Sequence, residues 1–523
     1  MTGTFISVLP PLVAMLLVIL TKRVILSLGL GALTAAILIG GYQPLDTLQI
    51  FFSSFIALFI TDEGLNTWNI FILLFLLILG SITAFISLSG GSRAFGEWAM
   101  KRVKTRVGAQ LLTVVLGMIL FIDDYFNALT VGQVSRPVTD RQKVSRVKLA
   151  YLIDSTSAPL CVISPISSWG ASIIALIGSI LVSHKITDYS AFSAFMQIIP
   201  LNFYVWAAII MVFIIVVGQI DFGPMKKHEK QAIEQGILFD KKKQLKDEVQ
   251  EELPISTKGT VGHLVWPIIV LFIGTVSMMA WTGMNGAEGN VSLVSLLENT
   301  DVALSLIVGG LLSLAVAYVQ FAQVLKKDDK LTSNFYLKAT WVGMKSMFGS
   351  VLILIFAWLL GDLISQIGTG EYLASVINQS NLSHDFIPVI LFIIAALMAF
   401  STGTSWGSFG ILLPIAGDIA VATDISLLIP AMAAVLGGAV FGDHASPISD
   451  TSILSATGAG SNLIDHVITQ FPYAFTAAVA AAISYIILGV SGSVIIALAA
   501  LIVMMAGILL VVKMFGTKTE KTI

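Results

Sequence analysis

The tetrapeptide Ser-Pro-Ile-Ser occurs twice in this chain of 523 residues, at 164–167 and at 446–449. Both copies interrupt hydrophobic stretches otherwise long enough to cross a bilayer. Each follows a second polar interruption by about forty residues, Asp123–Asn127 in one half and Ser401–Ser405 in the other. A helix in lipid cannot leave backbone groups unpaired, so a proline-centred polar break is tolerated only where it lines a cavity or is buried in protein. Two such breaks at matching positions of two halves point to the binding site of a membrane carrier.

Composition agrees. Hydrophobic residues make up 56% of the chain and charged ones 11%, against about 25% charged in ordinary soluble domains. Apolar runs fall at 5–20, 24–41, 68–89, 199–220, 263–283, 301–322, 347–367, 472–490 and 493–512. Most approach the ~20 residues that a helix needs to span hydrocarbon. Two longer stretches, 147–183 and 427–457, read as spanning helices broken in the middle, which makes eleven crossings. Residues 47–60 are too short to cross and read as interfacial.

Threading the chain with Met1 outside puts the connections at 21–23, 90–106, 135–148, 221–262 and 323–346, and the tail after Val512, on one side. They hold every Lys and Arg of the 29 except Lys185. The positive-inside rule makes that side the cytoplasm. The first apolar run, followed at once by Lys22 and Arg23, reads as a retained helix rather than a removed signal peptide. One cysteine, Cys161, excludes an internal disulfide or a cysteine metal cluster.

The fold expected is an all-α polytopic membrane protein of about eleven helices in two inverted repeats, each with a re-entrant hairpin and a broken helix. The first repeat covers 1–220, with its hairpin at 107–135. That segment is flanked by Arg102, Lys104 and Arg106 on one side and Arg136, Arg141 and Lys143 on the other, so both ends share a face. It is too short for two full spans. A charged linker, 221–262, reads as solvated. The second repeat covers 263–490, and its hairpin at 387–420 is broken at Ser401–Ser405 with no basic residue at either flank. Residues 491–523 add a helix and a tail.

Ionisable groups inside a membrane are costly and functional by default. This topology puts Asp123, Asp124, Asp154, Asp362, Asp443, His444 and Asp450 at membrane depth, with no Lys or Arg in the hairpins or breaks. Fixed carboxylates attract cations. Oxygens around them come from Asn127, Thr130, Ser155, Thr156, Ser157, Ser164 and Ser167 in the first half. Thr402, Thr404, Ser405, Ser408, Ser446, Ser449 and Thr451 supply them in the second. Hard cations such as sodium prefer shells made wholly of oxygen.

A carboxylate that holds either a proton or a metal ion, but not both, is the minimal basis for antiport. Asp124, Asp443 and His444 are the candidate proton-coupling groups. The same carboxylates join Asn127, Asp154, Ser155, Ser157, Ser164, Ser167, Thr402, Thr404, Ser405, Ser446, Ser449, Asp450 and Thr451 as candidate cation ligands. Plainer readings stand beside these. Asp443 and His444 also read as an ion pair that shapes the break, Asp154 as a helix cap, Asp362 as interfacial, and Trp169 and Trp406 as packing. No cofactor, resident metal or nucleic-acid partner is expected.

The run Phe441-Gly442-Asp443-His444-Ala445-Ser446-Pro447-Ile448-Ser449-Asp450-Thr451-Ser452-Ile453-Leu454-Ser455 resembles the signature of the NhaC family of bacterial sodium/proton antiporters. Ile464-Asp465-His466-Val467 with Gln470-Phe471-Pro472-Tyr473, and Phe121-Ile122-Asp123-Asp124-Tyr125-Phe126-Asn127, are similar to the same family. The resemblance implies a multi-pass carrier of the bacterial cell membrane, often a homodimer, that exchanges sodium for protons across the lipid bilayer. It also implies relatives that exchange organic acids, such as a malate/lactate antiporter.

Three other classes compete. A carrier of an organic anion or amino acid would use the same Ser/Thr-rich breaks, although the scarcity of buried basic residues weighs against dianions, but not against zwitterions. An intramembrane aspartyl protease needs Gly-x-Gly-Asp, and Val440 stands where its first Gly belongs. A passive channel has no need of titratable acids on paired breaks.

Overall fold

Side-chain caps set the helix ends around the two breaks. The computed structural model describes residues 4–515 except 22, 62–63, 189, 240–253, 287–298, 330, 370–371, 373–374, 376–382 and 448, together with 517 and 518. Ser167 caps Ser168–Ser183 by accepting the Gly170 N–H at 2.8 Å. Ser449 caps Asp450–Ala459 through the Ser452 N–H. Asp123 caps Asp124–Arg141 through the Phe126 N–H. The Ser164 hydroxyl donates to the Leu160 carbonyl, and that of Ser167 to the Cys161 carbonyl. The serines of the repeated tetrapeptide thus satisfy backbone groups that the broken helix would otherwise leave unpaired.

The protein is an all-α, multi-pass membrane protein. Among the described residues nine helices are long and apolar enough to cross a membrane. A tenth crossing arises if Ala191–Leu201 and Phe203–Gly218, bent by 47° where they meet, form one span. The sequence reading counts eleven; Phe5–Ala14 and Val24–Ile39 are shorter than a full span, and the rest of the difference lies at the breaks. The stretch 147–183 divides into Arg146–Ser155, Ala158–Cys161 and Ser168–Ser183. The stretch 427–457 divides into Leu428–Ala445 and Asp450–Ala459. By contrast, each arm around Ser401–Ser405, His384–Thr402 and Ser405–Thr423, has 19 residues and is long enough to cross. The corresponding first-half arms are Arg106–Ile119 and Asp124–Arg141.

Small residues bring the site-bearing helices together, as expected where lipid offers no hydrophobic drive between helices. Gly438 and Gly442 lie one turn apart on Leu428–Ala445 and press on Ile387–Thr402. A Cβ on Gly438 would sit 2.1 Å from the Phe392 carbonyl oxygen, and one on Gly442 2.2 Å from that of Ala396. Gly132 and Gly458 join the two halves, since a Cβ on Gly132 would fall 2.5 Å from the Gly458 Cα. Burial follows the same order. The spanning window of Ser405–Thr423 is 83% buried, that of the last helix, Val494–Lys513, only 17%.

One end of the molecule departs from expectation. The linker 221–262 reads from sequence as solvated, yet Asp221 and Glu229 are buried there, as is Lys148 in Arg146–Ser155. Lys148 Nζ contacts both Asp221 carboxylate oxygens, at 2.9 and 2.8 Å, and lies 3.4 Å from Glu229. Arg106 pairs with Glu229, whose other oxygen accepts the Ser145 N–H. Burial pushes the Glu229 carboxyl up, but the Lys148 and Arg106 charges outweigh it and hold the group below its usual value. Burial pushes Asp221 up despite Lys148. Ile220–Asp221 also pairs antiparallel with Thr517–Lys518. Lys241, Lys242, Lys243, Lys246, Asp247, Glu248, Glu251 and Glu252 of the linker lie outside the described residues.

Candidate functional site

The first-half acids sit where the hairpin meets the broken helix. Asp123 and Asp124 begin Asp124–Arg141, and both are 3% exposed. Asp123 Oδ2 accepts the Ser168 hydroxyl at 2.8 Å, and Asp124 Oδ1 accepts the Trp169 indole N–H at 2.9 Å. Ser157 donates to the Asp124 carbonyl. Asn127 lies one turn on, and its amide NH2 reaches the carbonyls of Gly117, Leu120 and Thr156 at 2.8, 3.1 and 3.2 Å. It clasps the hairpin break to the break after Asp154.

In the second half the roles of hairpin and broken helix are exchanged. Here the carboxylate, Asp443, belongs to the broken helix, and the hairpin supplies donors. Asp443 Oδ2 accepts the Ser405 N–H at 3.1 Å and the Ser405 hydroxyl at 2.8 Å. Oδ1 accepts the Ser449 hydroxyl at 2.5 Å, with Thr451 Oγ1 at 3.5 Å. The carboxylate therefore rests on the N-terminus of Ser405–Thr423, where the free N–H groups favour negative charge. Thr402 hydrogen-bonds locally to Ala399 and Thr404 carbonyls, and Ser446 donates to the Phe400 carbonyl. Thr404 precedes the helix without a side-chain cap bond. The side chain of Asp450 lies outside the described residues.

The two half-sites touch. The Trp169 and Trp406 rings have centroids 5.4 Å apart, and both pack against Phe409. Each tryptophan follows a serine bonded to an aspartate, Ser168 to Asp123 and Ser405 to Asp443.

A second buried cluster lies between the halves. Asp154 Oδ2 accepts from Gln470 Nε2 at 2.7 Å, Ser452 Oγ at 2.9 Å and His466 Nε2 at 3.3 Å. Gln470 Nε2 also donates to the His444 carbonyl at 2.5 Å. The His444 ring joins Tyr204 OH at 2.7 Å to Ser155 Oγ at 3.1 Å. Asp154 therefore sits among side chains of the second half.

Ser168, Tyr204, Ser452, His466 and Gln470 are absent from the sequence-derived site. For His466 and Gln470 a signal existed, because their four-residue spacing puts both on one face of Leu463–Ser491. That helix begins well before the apolar run at 472–490.

Asp362 lies apart from these clusters. It lines a cavity of about 530 Å³ with His184 and Asp418, and His184 Nε2 is 2.8 Å from Asp418 Oδ1.

With this geometry in hand, the comparisons with known proteins place the chain in a family. The sequence profile of the Na+/H+ antiporter family matches residues 160–490. A Haemophilus influenzae protein described as uncharacterized is 45% identical over 510 residues, 97% of this chain and 95% of its own. An uncharacterized Na(+)/H(+) antiporter of the same organism is 36% identical over 86 residues, 16% of this chain and 18% of its own. The malate-2H(+)/Na(+)-lactate antiporter of Bacillus subtilis is 35% identical over 100 residues, 18% of this chain and 20% of its own. Among solved structures, the YdaH transporter of Alcanivorax borkumensis has a TM-score of 0.58 at 12% identity, covering 90% of this chain and 98% of that one. At that identity the likeness carries the fold alone.

Proposed function

The chain belongs to the Na+/H+ antiporter family and is a secondary transporter; from that premise we propose that it exchanges sodium for protons by alternating access. One observation carries the reading. Asp124 and Asp443 are both buried, each at a helix break of its own half, and the two breaks meet through Trp169 and Trp406. Carboxylates bonded by hydroxyl and indole groups offer oxygen to a small hard cation and can take a proton in its place.

In this mechanism the cation is held by Asp443 with Ser405, Ser449 and Thr451, while Asp124, with Asn127 and Ser157 nearby, completes the site from the first half. His444, between Tyr204 and Ser155, is poised to relay the proton. Protonation discharges the carboxylates and releases the cation, and deprotonation on the other side reloads them. Ser164, Ser167 and Ser446 act by holding the breaks open. The two halves function as inverted repeats, with the Lys- and Arg-rich connections in the cytoplasm of a bacterial cell and the N-terminus outside.

The test is uptake of radiolabelled sodium into proteoliposomes of purified protein with an acidic interior. Accumulation driven by the pH gradient, and lost in Asp443→Asn, supports the proposal. Uptake indifferent to the gradient would refute it.

A second reading, exchange of an organic acid with sodium or protons, is favoured by the local similarity to the malate-2H(+)/Na(+)-lactate antiporter. It is distinguished by adding unlabelled malate and lactate inside the vesicles. Sodium uptake that requires either acid would favour this reading.

A further inference from the structure

The Asp154 carboxylate is bonded in a lopsided way. Oδ2 collects donors from Gln470, Ser452 and His466, whereas Oδ1 is buried and accepts no hydrogen bond among the described residues. Gln470 repeats the pattern. Its NH2 faces two acceptors, Asp154 Oδ2 and the His444 carbonyl, which fixes the amide so that Oε1 is the remaining acceptor. Oε1 is likewise buried and accepts no hydrogen bond among the described residues. Because Gln470 Nε2 lies 2.7 Å from Asp154 Oδ2, the two spare oxygens belong to directly bonded groups.

A buried acceptor with no donor is costly, more so when charged. Three donors on Oδ2 favour the ionised carboxylate, and the negative charge shared with the bare Oδ1 suits a cation as its partner. Amide and carboxylate oxygens are the ligands that a small hard monovalent cation takes. The surrounding side chains come from both halves, so a cation here would bridge them.

We propose that Asp154 Oδ1 and Gln470 Oε1 form a second binding site for sodium, separate from that at Asp443. The inference rests on the sodium-exchange reading and deepens it, because two sites make each transport cycle depend on two cations. Gln470 acts both as ligand and as the clip that orients Asp154.

The experiment is equilibrium binding of radiolabelled sodium to purified protein at neutral pH. It compares wild type with Asp443→Asn, Asp154→Asn and Gln470→Met, each taken as a monodisperse fraction. Two ions per chain in wild type and one in each variant is the expected result. Gln470→Met keeps the side-chain volume and leaves the Asp154 charge in place, so it answers even where Asp154→Asn fails to fold. Wild-type binding in Gln470→Met or Asp154→Asn would overturn the second site while leaving sodium exchange standing. A single wild-type ion that both Asp443→Asn and Asp154→Asn lose would also overturn it, since the two acids would then share one site. No sodium bound by wild type would overturn this inference and the exchange reading together.

Discussion

The indole rings of Trp169 and Trp406 meet with centroids 5.4 Å apart and planes inclined at 58°. Trp169 donates its N–H to Asp124, and Trp406 follows the serine that donates to Asp443. A change at one acid can therefore reach the other through a single aromatic contact. Aromatic pairs of this kind contribute about 0.5–1.5 kcal/mol beyond the area they bury. A double-mutant cycle with Trp169→Leu and Trp406→Leu, read as apparent sodium affinity, is expected to show coupling of that order. Additive effects would mean that the two breaks act independently.

Trp169→Phe keeps an aromatic ring, though a smaller one, and removes the N–H. Hydrogen bonds to charged groups contribute about 1.5–3 kcal/mol, so transport affinity should fall by about tenfold or more. The matching Trp406→Phe change removes no bond to Asp443 and should cost much less. Flux measured against sodium concentration for both variants checks the asymmetry.

Asp124→Asn is expected to abolish exchange while leaving expression and folding intact. The neutral amide keeps an oxygen for Trp169 but can no longer alternate between a proton and a cation. Exchange at the wild-type rate would remove Asp124 from the mechanism.

Much of this arrangement was legible in the sequence because lipid punishes polar atoms. The repeated Ser-Pro-Ile-Ser, Asp123–Asn127 and Ser401–Ser405 could survive only where helices break, and helices do break there. What the residues at each break do was less legible. Ser164 and Ser167 spend their hydroxyls on backbone carbonyls, a role that composition does not separate from ligation. Asp221 and Glu229 read as solvent-facing because charge marks a loop in any one-dimensional scan. Their burial depends on pairing across 73 residues between Lys148 and Asp221, which no local pattern reports. His466 and Gln470 stood in a family-like motif but outside the candidate site, because they precede the apolar run that marked their helix.

That buried charge cluster gives a pH signature. The Glu229 carboxyl, depressed from its ordinary 4.5, contributes stability that is present above pH 4.5 and lost as pH falls through the folded-state value. Asp221, pushed up by burial, works in the opposite sense. Glu229→Gln should therefore flatten the loss of melting temperature on acidification. At neutral pH it should destabilise by about 3 kcal/mol, because Arg106 and Lys148 lose a buried partner. Thermal unfolding in detergent across this pH range tests both effects.

Gly442→Ala bears on packing. Its new methyl carbon would lie 2.2 Å from the Ala396 carbonyl oxygen, and backbone cannot yield as a flexible side chain does. The helix carrying Asp443 must then shift away from its neighbour, which moves Asp443 relative to Ser405. Loss of exchange together with a lowered melting temperature is expected, and wild-type values for both would contradict the close contact.

The central claim is that this carrier trades sodium for protons. Internal pH of proteoliposomes, with the membrane potential clamped, tests it most directly after an external sodium pulse. The account predicts prompt alkalinisation that rises with sodium concentration and vanishes in Asp124→Asn and Asp443→Asn. A flat pH trace from folded wild-type protein, with no response to sodium at any concentration, would contradict it.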